Sequence, residues 1–208
     1  MRKIILMVMF GMLLCGLSWA DGYEFNLSAG DTSVAGGVHY KGYLDSGYLK
    51  RGLRGVYTEG DNSGDNNSNS SDPDYRWLAL DLMVGNELIA PGLACEIGLN
   101  ATFGNAEYRG LSGDVGAFAF SGRVAYVFPS HLMPIPLELF GTLSYAPRIL
   151  SFMDSELYRS HTMGVGLRIV ENASLFIEFA NYDIEMETTD EEWELDDSVV
   201  RLGMIMRF

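Results

Sequence analysis

The chain has three histidines, His39, His131 and His161, and Ser160 directly precedes the last of them. A serine beside a histidine is the minimal nucleophile and base of hydrolases and acyltransferases. Here the spacing defeats that chemistry. Neighbouring residues on an extended strand point to opposite faces, so Ser160 and His161 cannot pair with each other. His39 falls in a row of small and polar residues, and His131 lies in a short connection. The sequence is read as no enzyme, with no catalytic, cofactor-binding or metal residue assigned and no cofactor expected. If an activity exists, His161 is the residue to mutate.

Carboxylates are the second chemistry on offer. They gather at Asp61, Asp65, Asp72 and Asp74, and again at Glu187, Asp190, Glu191, Glu192, Glu194, Asp196 and Asp197. Oxygen-rich clusters suit calcium or magnesium, so weak binding of divalent cations at these acidic loops is one expectation. The run from Asp61 to Asp65 lacks the spacing and closing glutamate of a dedicated calcium loop. Solvated, mutually repelling loops over 59–74 and 183–197 are the plainer reading.

The elements that position these groups are strands. Backwards from the carboxyl terminus, Phe208, Met206, Met204, Leu202 and Val200 form an apolar row, with Arg207, Ile205, Gly203, Arg201 and Val199 on the other face. Period two means a strand with one face in apolar surroundings. The cleanest case lies mid-chain. Leu93, Cys95, Ile97, Leu99, Ala101 and Phe103 alternate with Ala94, Glu96, Gly98, Asn100, Thr102 and Gly104. Similar alternation from Tyr23 onward predicts ten strands, or eight if the first hairpin stays outside the wall. The third, about 48–58, is the weakest because Arg51 interrupts its apolar row.

At the amino terminus Arg2 and Lys3 precede an apolar run, Ile4 to Leu14, and Ser18, Trp19 and Ala20. This is the pattern of a secretory signal peptide over 1–20, cut after Ala20. Leu14 before Cys15 disfavours a lipoprotein, and Cys95 is left as a lone thiol. Cleavage removes two basic residues and no acidic one, leaving 12 basic against 28 acidic residues. Such a charge excludes nucleic acid as a partner. Past the signal no apolar run is long enough for a membrane helix, although 48% of the chain is hydrophobic. A membrane protein of this kind must be a closed barrel, because lipid offers no partner to an open strand edge. Residues 21–208 are therefore expected to form an all-β, antiparallel transmembrane β-barrel of about ten strands in the cell outer membrane of a Gram-negative bacterium. Long connections after strands three, five, seven and nine, against short ones after two, four, six and eight, fit that topology.

In that barrel Glu24, Lys41, Glu96, Arg123, Glu138, Arg168, Glu178 and Arg201 fall in the inward rows. They either line a narrow water path or pair across the lumen and plug it, the plug being favoured in so narrow a barrel. Aromatics near strand ends, Trp77 among them, fit interfacial girdles.

The segment 137–154, with Ser-Tyr-Ala-Pro at 144–147 and Leu-Ser-Phe-Met-Asp at 150–154, resembles the YfaZ-type outer-membrane protein family, and Gly-Val-Gly-Leu at 164–167 and the terminal Arg-Phe are compatible with it. The resemblance implies a small outer-membrane barrel and little about activity; the insert at 61–74 is not part of its pattern. The functional expectation is a structural or narrow porin-like channel. The alternatives are a surface-recognition barrel displaying acidic extracellular loops, an outer-membrane lipid-modifying enzyme, and a soluble periplasmic barrel with its faces reversed. Expected partners are outer-membrane lipids and lipopolysaccharide, and the barrel assembly machinery through the strand ending in Phe208.

Overall fold

The computed structural model describes residues 22–60, 73–87, 90–129, 135–188 and 191–208. The expected signal peptide, the polar insert at 61–72 and His131 lie outside the described residues. The alternation read from sequence becomes β1 (Tyr23–Ala29), β2 (Ser33–Leu44), β3 (Gly47–Thr58), β4 (Asp74–Asn86), β5 (Leu93–Tyr108), β6 (Leu111–Val127), β7 (Leu137–Ala146), β8 (Ser151–Met153), β9 (Ser155–Val170), β10 (Ala173–Glu187) and β11 (Glu192–Arg207).

Each wall strand runs antiparallel to the next, and β1 pairs with β11 from Glu24↔Arg207 to Ala29↔Leu202. That last pairing closes the sheet into a ten-stranded barrel and leaves no open edge. The first hairpin belongs to the wall, so the eight-stranded alternative falls away. The eleventh strand, β8, is a patch. β7 stops at Ala146, a 3-10 turn at Arg148–Leu150 follows, and β8 then takes up pairing with β6 at Val115↔Met153 to Ala117↔Ser151.

The two faces sort as the alternation requires. Leu80, Ile97, Leu143, Ile177 and Leu202 are all more than half exposed on the outer surface, whereas Glu96, Asn100, Ser144 and Arg201 are buried inside. Arg51, which interrupts the outer row, lies exposed with its guanidinium 5.2 Å from the Tyr40 ring, a cation–π contact that an aromatic neighbour makes tolerable. Lumen-facing glycines make room for inward rings. A Cβ on Gly203 would lie 2.4 Å from Cζ of Phe176, and Phe176 meets Phe140 edge-on at 5.7 Å.

Three expectations need correction. Residues 183–197 are not a loop: β10 runs to Glu187 and β11 begins at Glu192, leaving only 188–191 between them. The long connection expected after strand five, the glycine-rich 104–113, is likewise strand, turned by Arg109 and Gly110 alone, at φ 54° and 82°, the left-handed pair that a two-residue hairpin needs. Trp77 belongs to no girdle: it is 5% exposed and points into the barrel. The length asymmetry between the rims thus resides partly in strand extensions rather than in long loops. The rim with the chain ends has turns at 45–46 and 171–172 and the strand ends at Asn86, Leu93, Val127 and Leu137; the opposite rim carries the extended hairpins.

The extensions share a physical cause. Along β10 the outer row reads Leu175, Ile177, Phe179, then Asn181, Asp183, Glu185, while the inner row reads Phe176, Glu178, Ala180, then Tyr182, Ile184, Met186. Strand geometry continues, but the polarity of the two faces reverses near residue 181. Below that level the barrel is apolar outside and polar inside; above it, polar outside and apolar inside, as a strand in water should be.

Candidate functional site

The lumen is stacked in three layers. The first, at the rim carrying the chain ends, is ionic. Lys50 on β3 donates to Glu24 Oε1 at 2.7 Å, and Tyr48 donates to Glu96 Oε1 at 2.8 Å. Arg207 bridges Glu24 at 3.3 Å and Glu138 at 2.8 Å and donates to Ser174. Arg123 Nη1 stands 3.5 Å from Glu96 Oε1. Charges facing each other across a narrow lumen satisfy one another and avoid the cost of facing lipid.

The middle layer surrounds a cavity of about 110 Å³. On one side Arg201 donates to Glu178 Oε1 at 2.8 Å and also to Ser33 and Tyr182, while Ser28 donates to the same carboxylate. On the other, His39 Nε2 and Asp81 Oδ2 are 3.1 Å apart, and Arg54 Nη2 is 3.6 Å from Asp81 Oδ1. Asn100 donates to Ser121 and Ser144, whose hydroxyls meet at 2.8 Å.

The third layer is apolar. Tyr75 and Trp77 stack at 4.2 Å with 7° between their planes, and Tyr182 meets Trp77 edge-on at 4.9 Å. Ile184, Met186, Leu195 and Tyr158 pack around them, with Leu150 of the 3-10 turn and Trp193 at the margin. Deep in this layer the Tyr75 hydroxyl donates to Asp197 at 2.7 Å. Ring faces in contact exclude water between them, and an ion passing there would find no ligand to replace its hydration shell.

The sequence-derived candidates fall as follows. Glu24, Glu96, Glu138, Glu178 and Arg201 are buried inward, as their rows required. Lys41 sits over the Tyr48 ring at 4.1 Å. Lys50, Arg54, Asp81 and Arg207 also face the lumen and were not singled out from sequence. Parity was the available signal: all four occupy rows opposite apolar ones, but Arg51 obscured the assignment of β3. His161 is on the outer face, 6.1 Å from the Phe179 ring, while Ser160 is buried. Neither His39 nor His161 hydrogen-bonds a hydroxyl or thiol among the described residues. Asp183↔Asp196, Glu185↔Glu194 and Glu187↔Glu192 face one another across the β10–β11 hairpin, and among the described residues no group of histidine, cysteine and carboxylate side chains is placed to hold a metal.

No protein-family model and no curated protein matches the chain. Among solved structures the chain is similar to the KdgM porin, at 10% identity and a TM-score of 0.41, over 90% of this chain and 99% of that one. It is similar also to the NanC porin in its rhombohedral crystal form, at 10% identity and a TM-score of 0.42, over 91% of this chain and 100% of that one. A third is OmpT, an outer-membrane protein of Vibrio cholerae folded in vitro, at 10% identity and a TM-score of 0.40, over 89% of this chain and 64% of that one.

Proposed function

We propose that this chain is an integral outer-membrane barrel of a Gram-negative bacterium, porin-like in its wall and closed across its lumen. The observation that carries the reading is the reversal of polarity along the strands. An outer apolar row five or six residues deep on strands such as β5 and β11, backed by a charged and polar interior, is stable only in lipid. Its replacement beyond Phe103, Phe179 and Val200 by acidic outer residues marks where lipid ends.

Closure follows from the stacked Tyr75, Trp77 and Tyr182. The test is planar-bilayer conductance of the purified protein, after heat-modifiable gel migration has shown a folded barrel. The wild type should insert and stay silent, and a Trp77→Ala, Tyr182→Ala double variant should give discrete steps. Regular steps from the wild type would overturn the plug. Failure to insert would overturn the membrane reading.

The finer family assignment, to YfaZ-type barrels, is supported by the segment 137–154, which also builds the broken strand from β7 through the 3-10 turn to β8. Lipids and lipopolysaccharide are the partners that the outer row and the acidic rim suit, with divalent cations bridging the rim to lipid phosphates. Recognition by the barrel assembly machinery would use the outer row ending in Phe208. A second reading, surface recognition, is favoured by the acidic outer faces of the β10 and β11 extensions; replacing 183–196 acidic residues by serine would abolish partner binding and leave insertion intact.

A further inference from the structure

We propose that the mid-lumen chamber is a binding site for a small oxyanion, a phosphate- or carboxylate-bearing solute held between the guanidinium groups of Arg54 and Arg123. The inference rests on the barrel of the proposed function but not on whether it conducts. Every carboxylate of the chamber is already engaged: Glu24 by Lys50 and Arg207, Glu178 by Ser28 and Arg201, Asp81 by His39. The two guanidiniums are each ion-paired but not hydrogen-bonded. Their nearest carboxylate oxygens stand at 3.6 and 3.5 Å, beyond the usual N–H···O range, and neither donates a hydrogen bond to a described residue.

Three further observations agree. His39 is 7% exposed and lines the chamber, and its Nδ1 has no hydrogen-bond partner. Thr142 and Thr162 contribute hydroxyls to the same wall. Lys50, Arg54, Arg123 and Arg201 line the chamber against Glu24, Asp81 and Glu178, although the chain as a whole carries 14 basic and 28 acidic residues. A guanidinium fork matches a planar or tetrahedral oxyanion in two parallel hydrogen bonds, which a lone chloride cannot exploit. The cavity of about 110 Å³ is well above the roughly 10–15 Å³ that one water needs.

The test is calorimetric titration of the detergent-solubilised protein with sodium phosphate and, separately, sodium acetate, at constant ionic strength against sodium chloride. Saturable binding of one or both is expected, and which of the two binds identifies the headgroup chemistry. Arg54→Gln and Arg123→Gln should each weaken it roughly 10-fold or more, and Arg159→Gln, on the outer face, should not change it. Arg54→Lys keeps the charge and loses the fork, so it should fold and still bind more weakly. Binding equal to that of chloride, no binding at all, or undiminished affinity in the folded arginine variants would overturn the site. Conductance by the wild type alongside intact binding would instead overturn the plug alone.

Discussion

Arg201 is held tightly in the lumen: 2% exposed, with donors committed to Glu178, Ser33 and Tyr182. Removing its counter-charge leaves a buried cation with no anion. Glu178→Leu should therefore destabilise the barrel by about 3–5 kcal/mol, read as a lowered midpoint of urea unfolding. The double variant Glu178→Leu, Arg201→Met should recover much of that loss, because an apolar pair of similar volume leaves no orphan. If the double variant is as unstable as the single, the pair is not what holds this layer. At this scale the sequence was legible by parity alone. It put Glu178 and Arg201 on the inner face without saying that they touch, since Cα partners across β10 and β11 are set by register, not by composition. Trp77 was misplaced for the opposite reason: an aromatic near a strand end suits either a membrane girdle or a water-exposed cap, and only the neighbouring Tyr182 decides between them.

At the scale of the element, the extension of β10 and β11 behaves as a small water-soluble sheet fused to a membrane wall. Ile184 is fully buried among apolar side chains, and Glu185 beside it faces solvent. Ile184→Asp should unravel the extension at a cost of about 3 kcal/mol or more, whereas Glu185→Ser should be near neutral. Limited proteolysis of the protein in vesicles separates the two: cleavage within 181–198 for the first and none for the second. Protection of both would mean that the extension is not held by its inner row. Ten wall strands were readable because period two survives in every one of them. The extensions were misread as a loop because charge density at 183–197 outweighed an alternation, Tyr182, Ile184, Met186 and Trp193, Leu195, that was present throughout. Negative charge suggests a solvated loop, when here it marks the outer face of a strand that has left the lipid. The break at Pro147 and the patch strand β8 had no period to reveal them.

For the whole molecule, a wall apolar outside and charged inside makes a prediction no soluble protein would share. Leu202 is 62% exposed, and in water an exposed leucine tolerates arginine. In a bilayer Leu202→Arg should cost about 2–4 kcal/mol, measured by urea unfolding from vesicles, while Glu185→Arg should cost little. Equal, small effects would refute lipid around the band. One feature of β10 and β11 bears on which sequences this fold can accept. Their pairing runs from Ala173↔Met206 to Glu187↔Glu192 without a slip. A single added or deleted residue inside either strand would exchange every side chain beyond it between the two faces. Glu178 or Ile177 would change solvent in the wall, or Ile184 and Glu185 in the extension. Length variation in this hairpin is therefore confined to the connection between Glu187 and Glu192, outside the paired register.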